Sequence, residues 1–422
     1  MQIMDYKARI VDEVIAHRLK NKGAILVEGA KWCGKTRSAE QIAKSVLYLQ
    51  DPDVSARYLQ TAEVKPSLLL IGDNPRLIDE WQMAPVLWDA VRFAVDRRGG
   101  TGLFLLTGSA VPSDNVTAHS GTGRIARLTM RPMSLSESGE SNKSISLAAL
   151  FRGETDIAAV SNLSIEQTAF LIARGGWPAA VNMTEDASLS VAENYLNAVI
   201  NEDISRVDGI GKNLERVSRL LRSLARNVAT MVSAQTIIRD VESQDVGMSE
   251  KTFMSYMNAL KRIFVIEDQL AWQPSLRSKT AIRTSSKRHF VDPSLAVAAL
   301  RTGPEGLLAD FETFGFLFES LCTRDMRVYA QVNDGNVYHY RDKNNLESDM
   351  IIQLNNGQWA PVEVKMGSRQ IDEAAHNLKK LCKYVDTQKM GAPAFMMVLT
   401  AGEYAYKRDD GVLVVPIGCL TA

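Results

Sequence analysis

The chain of 422 residues is too long for one ordinary core and sets an expectation of two or three domains. Lysine plus arginine and aspartate plus glutamate each number 49, so the formal net charge is zero, and any case for nucleic acid or membrane must rest on local clusters. Four scattered cysteines, Cys33, Cys322, Cys382 and Cys419, exclude a C-x-x-C metal frame, and neither an apolar leader nor an apolar run of membrane-spanning length occurs, so a cytoplasmic protein with no membrane partner is expected.

Ile10, Val11, Val14, Ile15 and Leu19 recur at helical spacing and predict an amphipathic first helix. An apolar strand over Ala24–Val27 follows, and then Gly29-Ala30-Lys31-Trp32-Cys33-Gly34-Lys35-Thr36, which fits G-x-x-x-x-G-K-[ST] at every fixed position. Glycines at the two fixed positions let backbone N–H groups curl toward phosphates, with a helix beginning near Arg37 adding the positive end of its dipole. Lys35 is the expected phosphate cation and Thr36 the expected Mg²⁺ ligand; ATP is the expected nucleotide, bound by residues Gly29 to Arg37.

Val46–Leu49 predicts a short second strand. Pro75-Arg76-Leu77-Ile78-Asp79-Glu80 is an aliphatic run ending in two acids, as a Walker B strand requires. Asp79 is assigned to Mg²⁺ and Glu80 to polarising the attacking water. A strand over Leu103–Leu106 ends in Thr107-Gly108-Ser109, where Thr107 is the first choice for a γ-phosphate sensor and Ser109 the alternate. Gly121-Thr122-Gly123-Arg124 precedes a fifth strand over Ile125–Met130. Arg124 is a candidate arginine finger for a neighbouring subunit of a homo-oligomer, with Arg127 and Arg131 competing for the role.

This order of motifs resembles the AAA+ ATP-binding proteins of bacteria and archaea that carry a C-terminal domain of unknown function. The resemblance runs over nearly the whole chain. The Ile-Asp-Glu-Ile-Gln of that family is Ile78-Asp79-Glu80-Trp81-Gln82 here, one departure that keeps both acids. Gly175-Gly176-Trp177-Pro178 is similar to the Gly-Gly-Tyr-Pro turn of the family's helical lid.

From Leu150 the reading turns helical, with one helix expected through Asn194–Ile204. In the helix predicted over Leu214–Val228, Arg216, Arg219, Arg222 and Arg226 fall within about 120° of one another, and Val217, Leu220, Leu221, Leu224 and Val228 take the other side. Helices over Ser233–Val241 and Ser249–Ile263 resemble a helix-turn-helix core. The acid-free segment Gln273–Phe290, with Arg277, Lys279, Arg283, Lys287 and Arg288, reads as a basic wing; DNA or RNA binding and protein docking both stay open.

The last 120 or so residues hold a second site. Gly315–Glu319 is placed on a helix, with strands expected over Val328–Val332, Val337–Tyr340, Asp349–Leu354 and, after an Asn355-Asn356-Gly357 turn, Ala360–Lys365. Glu363 and Lys365 share a strand face, and Asp349 on the preceding strand meets them. With Glu319 on the preceding helix, the set resembles the PD-(D/E)XK nucleases. That resemblance implies Mg²⁺ on Asp349 and Glu363, with Lys365 positioning a water. Ile371–Val385 lacks the Gln-x-x-x-Tyr of some members, and Phe395–Leu399 closes the domain.

The expectation is therefore an α/β protein. An AAA+ type P-loop ATPase domain is expected over residues 1–140, a helical lid with a winged-helix-like segment over 141–300, and a restriction-endonuclease-like domain over 301–422. Functionally it reads as an ATP-dependent, nucleic-acid-associated protein using ATP and Mg²⁺. The rival reading is an ATP-driven switch that binds a protein partner through an inactive nuclease-like domain.

Overall fold

The computed structural model describes residues 6–111, 123–207, 209–242, 247–274, 285–342, 346–385 and 390–422. Two compact units divide the chain. One comprises Met1–Pro132, Asn201–Lys212 and Tyr256–Val265; the other comprises Met133–Ile200, Asn213–Ser255 and Ile266–Ala422.

In the first unit the aliphatic runs form five parallel strands: β1 (Ala24–Glu28), β2 (Ser45–Tyr48), β3 (Arg76–Asp79), β4 (Phe104–Gly108) and β5 (Ile125–Thr129). Their order is β2-β3-β4-β1-β5. Ala24 to Val27 and the whole of β4 are buried, as expected of central strands covered on both faces. The register sets Glu28 beside Gly108 and Tyr48 beside Asp79, so the carboxyl ends of β1 to β4 line one edge. Trp81, where the resembling family has isoleucine, is buried against Trp88 at a ring distance of 5.0 Å. The departure thus fills a core position directly after the two acids.

The second unit holds a seven-stranded mixed sheet. Ala158–Val160 (β7) forms one edge. Gly335–Arg341 (β10), Glu347–Leu354 (β11), Trp359–Lys365 (β12), Met397–Thr400 (β13), Tyr404–Lys407 (β14) and Leu413–Pro416 (β15) complete the order β10-β11-β12-β13-β15-β14-β7. β10 to β12 form an antiparallel meander, and β13 runs parallel to β12 after the helix Ile371–Tyr384. Ile145–Ser146 (β6) pairs with Leu420–Thr421 (β16). Ile266–Gln269 (β8) and Lys287–Phe290 (β9) form a separate antiparallel pair.

The strand expected over Val328–Val332 is absent, because those residues are the last turns of a 22-residue helix, Phe311–Val332. Leu317, Leu321 and Val328 lie on its buried side, and the chain turns only at Asn333 and Asp334, the latter at φ 51°. The helix expected through Asn194–Ile204 also differs: an α-helix over Glu185–Ala198 widens into a π turn over Val199–Asp203.

The separate lid and C-terminal domains expected from the sequence share one compact unit. β6 and β7, both inside the expected lid, pair with C-terminal strands. A buried ion cluster adds a second tie: Arg324 on the long helix reaches Asp292 at 2.8 Å and Asp325 at 2.7 Å, all nearly inaccessible to solvent. Gly176 explains the Gly-Gly-Trp-Pro turn. Its N–H donates to Asp292 (3.0 Å), and a Cβ there would sit 2.0 Å from the Met133 carbonyl.

Candidate functional site

The phosphate loop bridges β1 and the helix Lys35–Glu40. A Cβ on Gly29 would lie 2.1 Å from the Met130 carbonyl, and Gly34 caps the helix at φ 101°, so both fixed glycines are required by the backbone path. Trp32 is left-handed at φ 61° and half exposed at the loop apex. The helix has six residues, shorter than expected, which leaves phosphate attraction to the loop N–H groups and Lys35 more than to a helix dipole. Lys35 is buried and donates to the Ala30 carbonyl at 2.7 Å.

The acids fall beside this loop. Asp79 is fully buried, and its Oδ1 accepts from Thr36 Oγ1 at 2.7 Å and Thr107 Oγ1 at 2.6 Å. Gln50 donates to Oδ2 at 3.2 Å. Inserting β4 between β1 and β3 is what delivers Thr107 to this position. Glu80, left-handed at φ 55°, is turned from the strand; its N–H donates to Thr107 Oγ1, and its Oε2 accepts from Ser109 (3.1 Å) and from Gln82. Thr107 and Ser109, alternatives in the sequence reading, thus donate to the carboxylates of Asp79 and Glu80 respectively, and Thr107 also accepts from the Glu80 N–H. A hydroxyl and a carboxylate side by side form the hard-oxygen donor set that Mg²⁺ takes, so Thr36 and Asp79 fit the ion.

Other expected residues sit elsewhere. Lys31 pairs with Asp203 at 2.5 Å, and Arg37 with Glu40 at 3.1 Å on the surface. Arg124 precedes β5, at the edge opposite the phosphate loop, and pairs with Asp96 at 2.7 Å. Arg127 pairs with Glu28 at 3.0 Å. Arg131 follows β5 at the loop edge of the sheet. A finger role for Arg124 therefore has no geometry toward the loop of its own chain.

Sequence reasoning missed Arg9. Its buried guanidinium donates to the Cys33 carbonyl in the phosphate loop at 2.8 Å and to the Arg131 carbonyl at 2.9 Å. Tyr6, just upstream, bonds Asp12 at 2.6 Å and Ser38 at 2.8 Å. No motif marks these residues.

In the second unit Glu319, Asp349 and Lys365 line a cavity of about 700 Å³ together with Lys287. Lys365 Nζ lies 3.1 Å from Glu363, so the shared strand face is as read from the sequence. Asp349 Oδ2 accepts from the Val364 N–H at 2.9 Å. The unexpected member is Lys287, whose Nζ donates to Glu319 Oε1 at 2.7 Å and Asp349 Oδ1 at 3.3 Å. Burial, and then Asp349, push the Glu319 carboxyl up to about 7, and the same two causes push Glu363 well up. Burial opposes ionisation of Asp349 too, but Lys287 and Lys365 hold it below the usual aspartate value. Among the described residues no group of three or more His, Cys, Asp or Glu is arranged to hold a metal ion. The carboxylates do not fit Mg²⁺ as they stand, because an ammonium already bridges two of them.

The arginine-rich helix, Leu214–Arg226, buries Val217, Leu220, Leu221 and Leu224, as expected. Arg222 and Arg226 are exposed, whereas Arg219 pairs with Glu215 at 2.5 Å and Arg216 reaches the Gly247 carbonyl. The basic wing is corrected at two positions. Lys287 is buried, and Arg288 donates to the Val232 carbonyl at 2.6 Å; Arg277, Lys279 and Arg283 lie outside the described residues. No helix among the described residues is long and apolar enough to cross a membrane.

Residues 21–139 match the family model of an AAA domain. Residues 165–306 and 314–420 match two domains of unknown function, DUF8612 and DUF4143. The uncharacterized proteins Rv2008c of Mycobacterium tuberculosis and Mb2031c of Mycobacterium bovis are each 21% identical over 398 residues, covering 93% of this chain and 79% of theirs. Among solved structures, the Walker-type ATPase PABY2304 of Pyrococcus abyssi is 15% identical, covers 68% of this chain and 94% of its own, and has a TM-score of 0.42. A STAND protein with a tetratricopeptide repeat sensor from Pyrococcus horikoshii is 13% identical, with 79% and 51% covered and a TM-score of 0.28. The chain carries an AAA-type P-loop ATPase domain.

Proposed function

We propose that the protein is a Mg²⁺-dependent ATPase whose nucleotide state governs a nucleic-acid-associated second unit. The observation that carries the ATPase reading is the shared hydrogen-bond set of Thr36, Asp79 and Thr107, with Glu80 held next to it by Ser109 and Gln82. When ATP enters, Lys35 exchanges the Ala30 carbonyl for β- and γ-phosphate oxygens, and the loop N–H groups take the remaining charge. Bound at Thr36 and Asp79, Mg²⁺ would neutralise charge on the phosphates. Glu80 accepts a hydrogen bond from the attacking water, and Thr107 reports the γ-phosphate to both acids.

The test uses two variants. Lys35→Ala is expected to lose tight ATP binding, and Glu80→Gln to keep binding while hydrolysis stops. Parental affinity in the first, or parental turnover in the second, refutes the assignment.

The nucleic-acid part rests on the exposed Arg222 and Arg226 and on the order of elements in the C-terminal half. A helix, a three-strand meander, a helix and a parallel strand follow one another there, as in a restriction-endonuclease-like domain. The bridging ammonium of Lys287 favours recognition over cleavage. Stimulation of ATP hydrolysis by DNA or RNA tests this half; an unchanged rate favours a protein partner instead.

A further inference from the structure

We infer that Lys287 is a built-in cation standing in the metal position of the C-terminal carboxylate pocket, and that its ammonium excludes a divalent cation from it. The inference rests on the nuclease-like reading of this half and explains why its carboxylates take no divalent ion.

Three observations carry it. The first is position. The ammonium donates to one oxygen of Glu319 and one of Asp349, carboxylates from a helix and a strand. These hard oxygens would otherwise face each other in a buried site, where unbalanced like charges are costly. A divalent ion drawn to the same two oxygens would lie within contact distance of the ammonium, so one cation excludes the other.

The second is that the ammonium is delivered by a fixed element rather than by a flexible surface chain. Lys287 opens β9 and is almost fully buried. β9 pairs with β8, setting Lys287 opposite Gln269. Gln269 donates to the main-chain oxygens of Asp349 and Tyr338, both at 2.9 Å, and its Oε1 accepts from His289 Nε2 at 3.0 Å, two residues along β9. Arg327 on the long helix reaches Glu267 at 2.7 Å. The hairpin is thereby bolted to the strand and helix that bear the two acids, and the length of the lysine is matched to that distance.

The third is the surrounding space. The cavity is roomy, at about 700 Å³, and its other charged lining is Arg341, Glu347, Glu312 and Lys365. Arg341 and Glu347 stand 3.8 Å apart, and Lys365 is turned to Glu363. Lys365 also acts on both acids through its charge, but Lys287 is the cation that hydrogen-bonds Glu319 and Asp349 together.

The experiment is a Mn²⁺ titration of the nucleotide-free full chain, read by the loss of free-ion electron paramagnetic resonance signal. The parent is expected to show no binding that depends on Asp349. Lys287→Met is expected to gain one Mn²⁺ site, at least tenfold tighter than any parental site and lost again in the Lys287→Met, Asp349→Asn double variant. Lys287→Arg, which keeps the cation, is expected to behave as the parent. Millimolar Mg²⁺ should raise the thermal midpoint of Lys287→Met by more than that of the parent. If the parent itself binds Mn²⁺ through Asp349, the stand-in role is overturned while the nuclease-like pocket survives. If Lys287→Met folds, as judged by retained ATP affinity, and binds no Mn²⁺, the metal-pocket reading fails and takes the inference with it. Should Lys287→Met not fold, Lys287→Gln keeps a neutral donor between the carboxylates, and the same gain or absence of a site decides.

Discussion

Arg9→Met should weaken ATP binding although Arg9 lies outside every nucleotide motif. Its guanidinium pulls the Cys33 carbonyl outward at 2.8 Å while also gripping Arg131 at 2.9 Å. In a trans peptide the carbonyl and the following N–H point in opposite directions, so fixing Cys33 O away from the loop interior turns the Gly34 N–H toward it. Methionine keeps the apolar stem and removes both donors. Hydrogen bonds from a charged group contribute about 1.5–3 kcal/mol each, and water recovers part of that where it can reach. If half of the loss of roughly 3–6 kcal/mol must be restored on binding, the cost is about 1.5–3 kcal/mol, or a rise in Kd of about tenfold to a hundredfold. Isothermal titration with ATP and Mg²⁺ measures it, and circular dichroism checks that the fold is retained. A Kd within about twofold of the parent would show that the loop holds its own shape and would refute the reasoning.

Two further outcomes follow from the second unit. Glu319 has its folded value raised from 4.5 to about 7, so the native state keeps a proton that the unfolded chain has released; the stabilisation is full below pH 4.5 and is lost as pH rises through 7. Glu319→Gln should therefore flatten the decline of urea stability between these pH values by up to about 3 kcal/mol, and parallel curves for parent and variant would contradict this. Changing Arg222 and Arg226 to glutamine should weaken nucleic-acid binding for all sequences alike and lower the salt slope by about 0.9 per lost phosphate contact, with an unchanged slope pointing to protein docking.

What could be read in the sequence was what lies in contiguous stretches. Gly29 to Thr36 and Leu77 to Glu80 each carry their chemistry within a few residues, and the strand preceding each fixes where the side chains point. Glu363 and Lys365 were legible for the same reason, through the two-residue repeat of a strand. Arg9 was not, because its partners Cys33 and Arg131 come together only when β1 and β5 pair. Lys287 was hidden among neighbours of like charge. The available signal was its alternation with His289 and the apolar Phe290 and Val291 beyond, which suits an inward-facing strand better than a solvated wing. The Val328–Val332 error has a similar origin: the β-branched and aromatic residues there suit a strand, and only the spacing of Leu317, Leu321 and Val328 betrays the helix.

How the nucleotide is felt beyond its own loop has a candidate start in Lys31. This loop residue pairs with Asp203, which belongs to the ATPase unit by packing but to the helical region by sequence. The chain reaches Asp203 through the π turn that ends the helix Glu185–Ala198 of the second unit. A triphosphate at the loop would offer Lys31 a second anionic partner in competition with Asp203. Lys31 is 44% exposed, so the pair by itself is worth at most about 1 kcal/mol, near the lower end of allosteric couplings. A ligand shifts an equilibrium only by its differential interaction with the two states, so a larger response must draw on the π turn as well. Such turns are rare and occur frequently at functional sites. On this view the lysine supplies the sign of the response and no more than about 1 kcal/mol of its size.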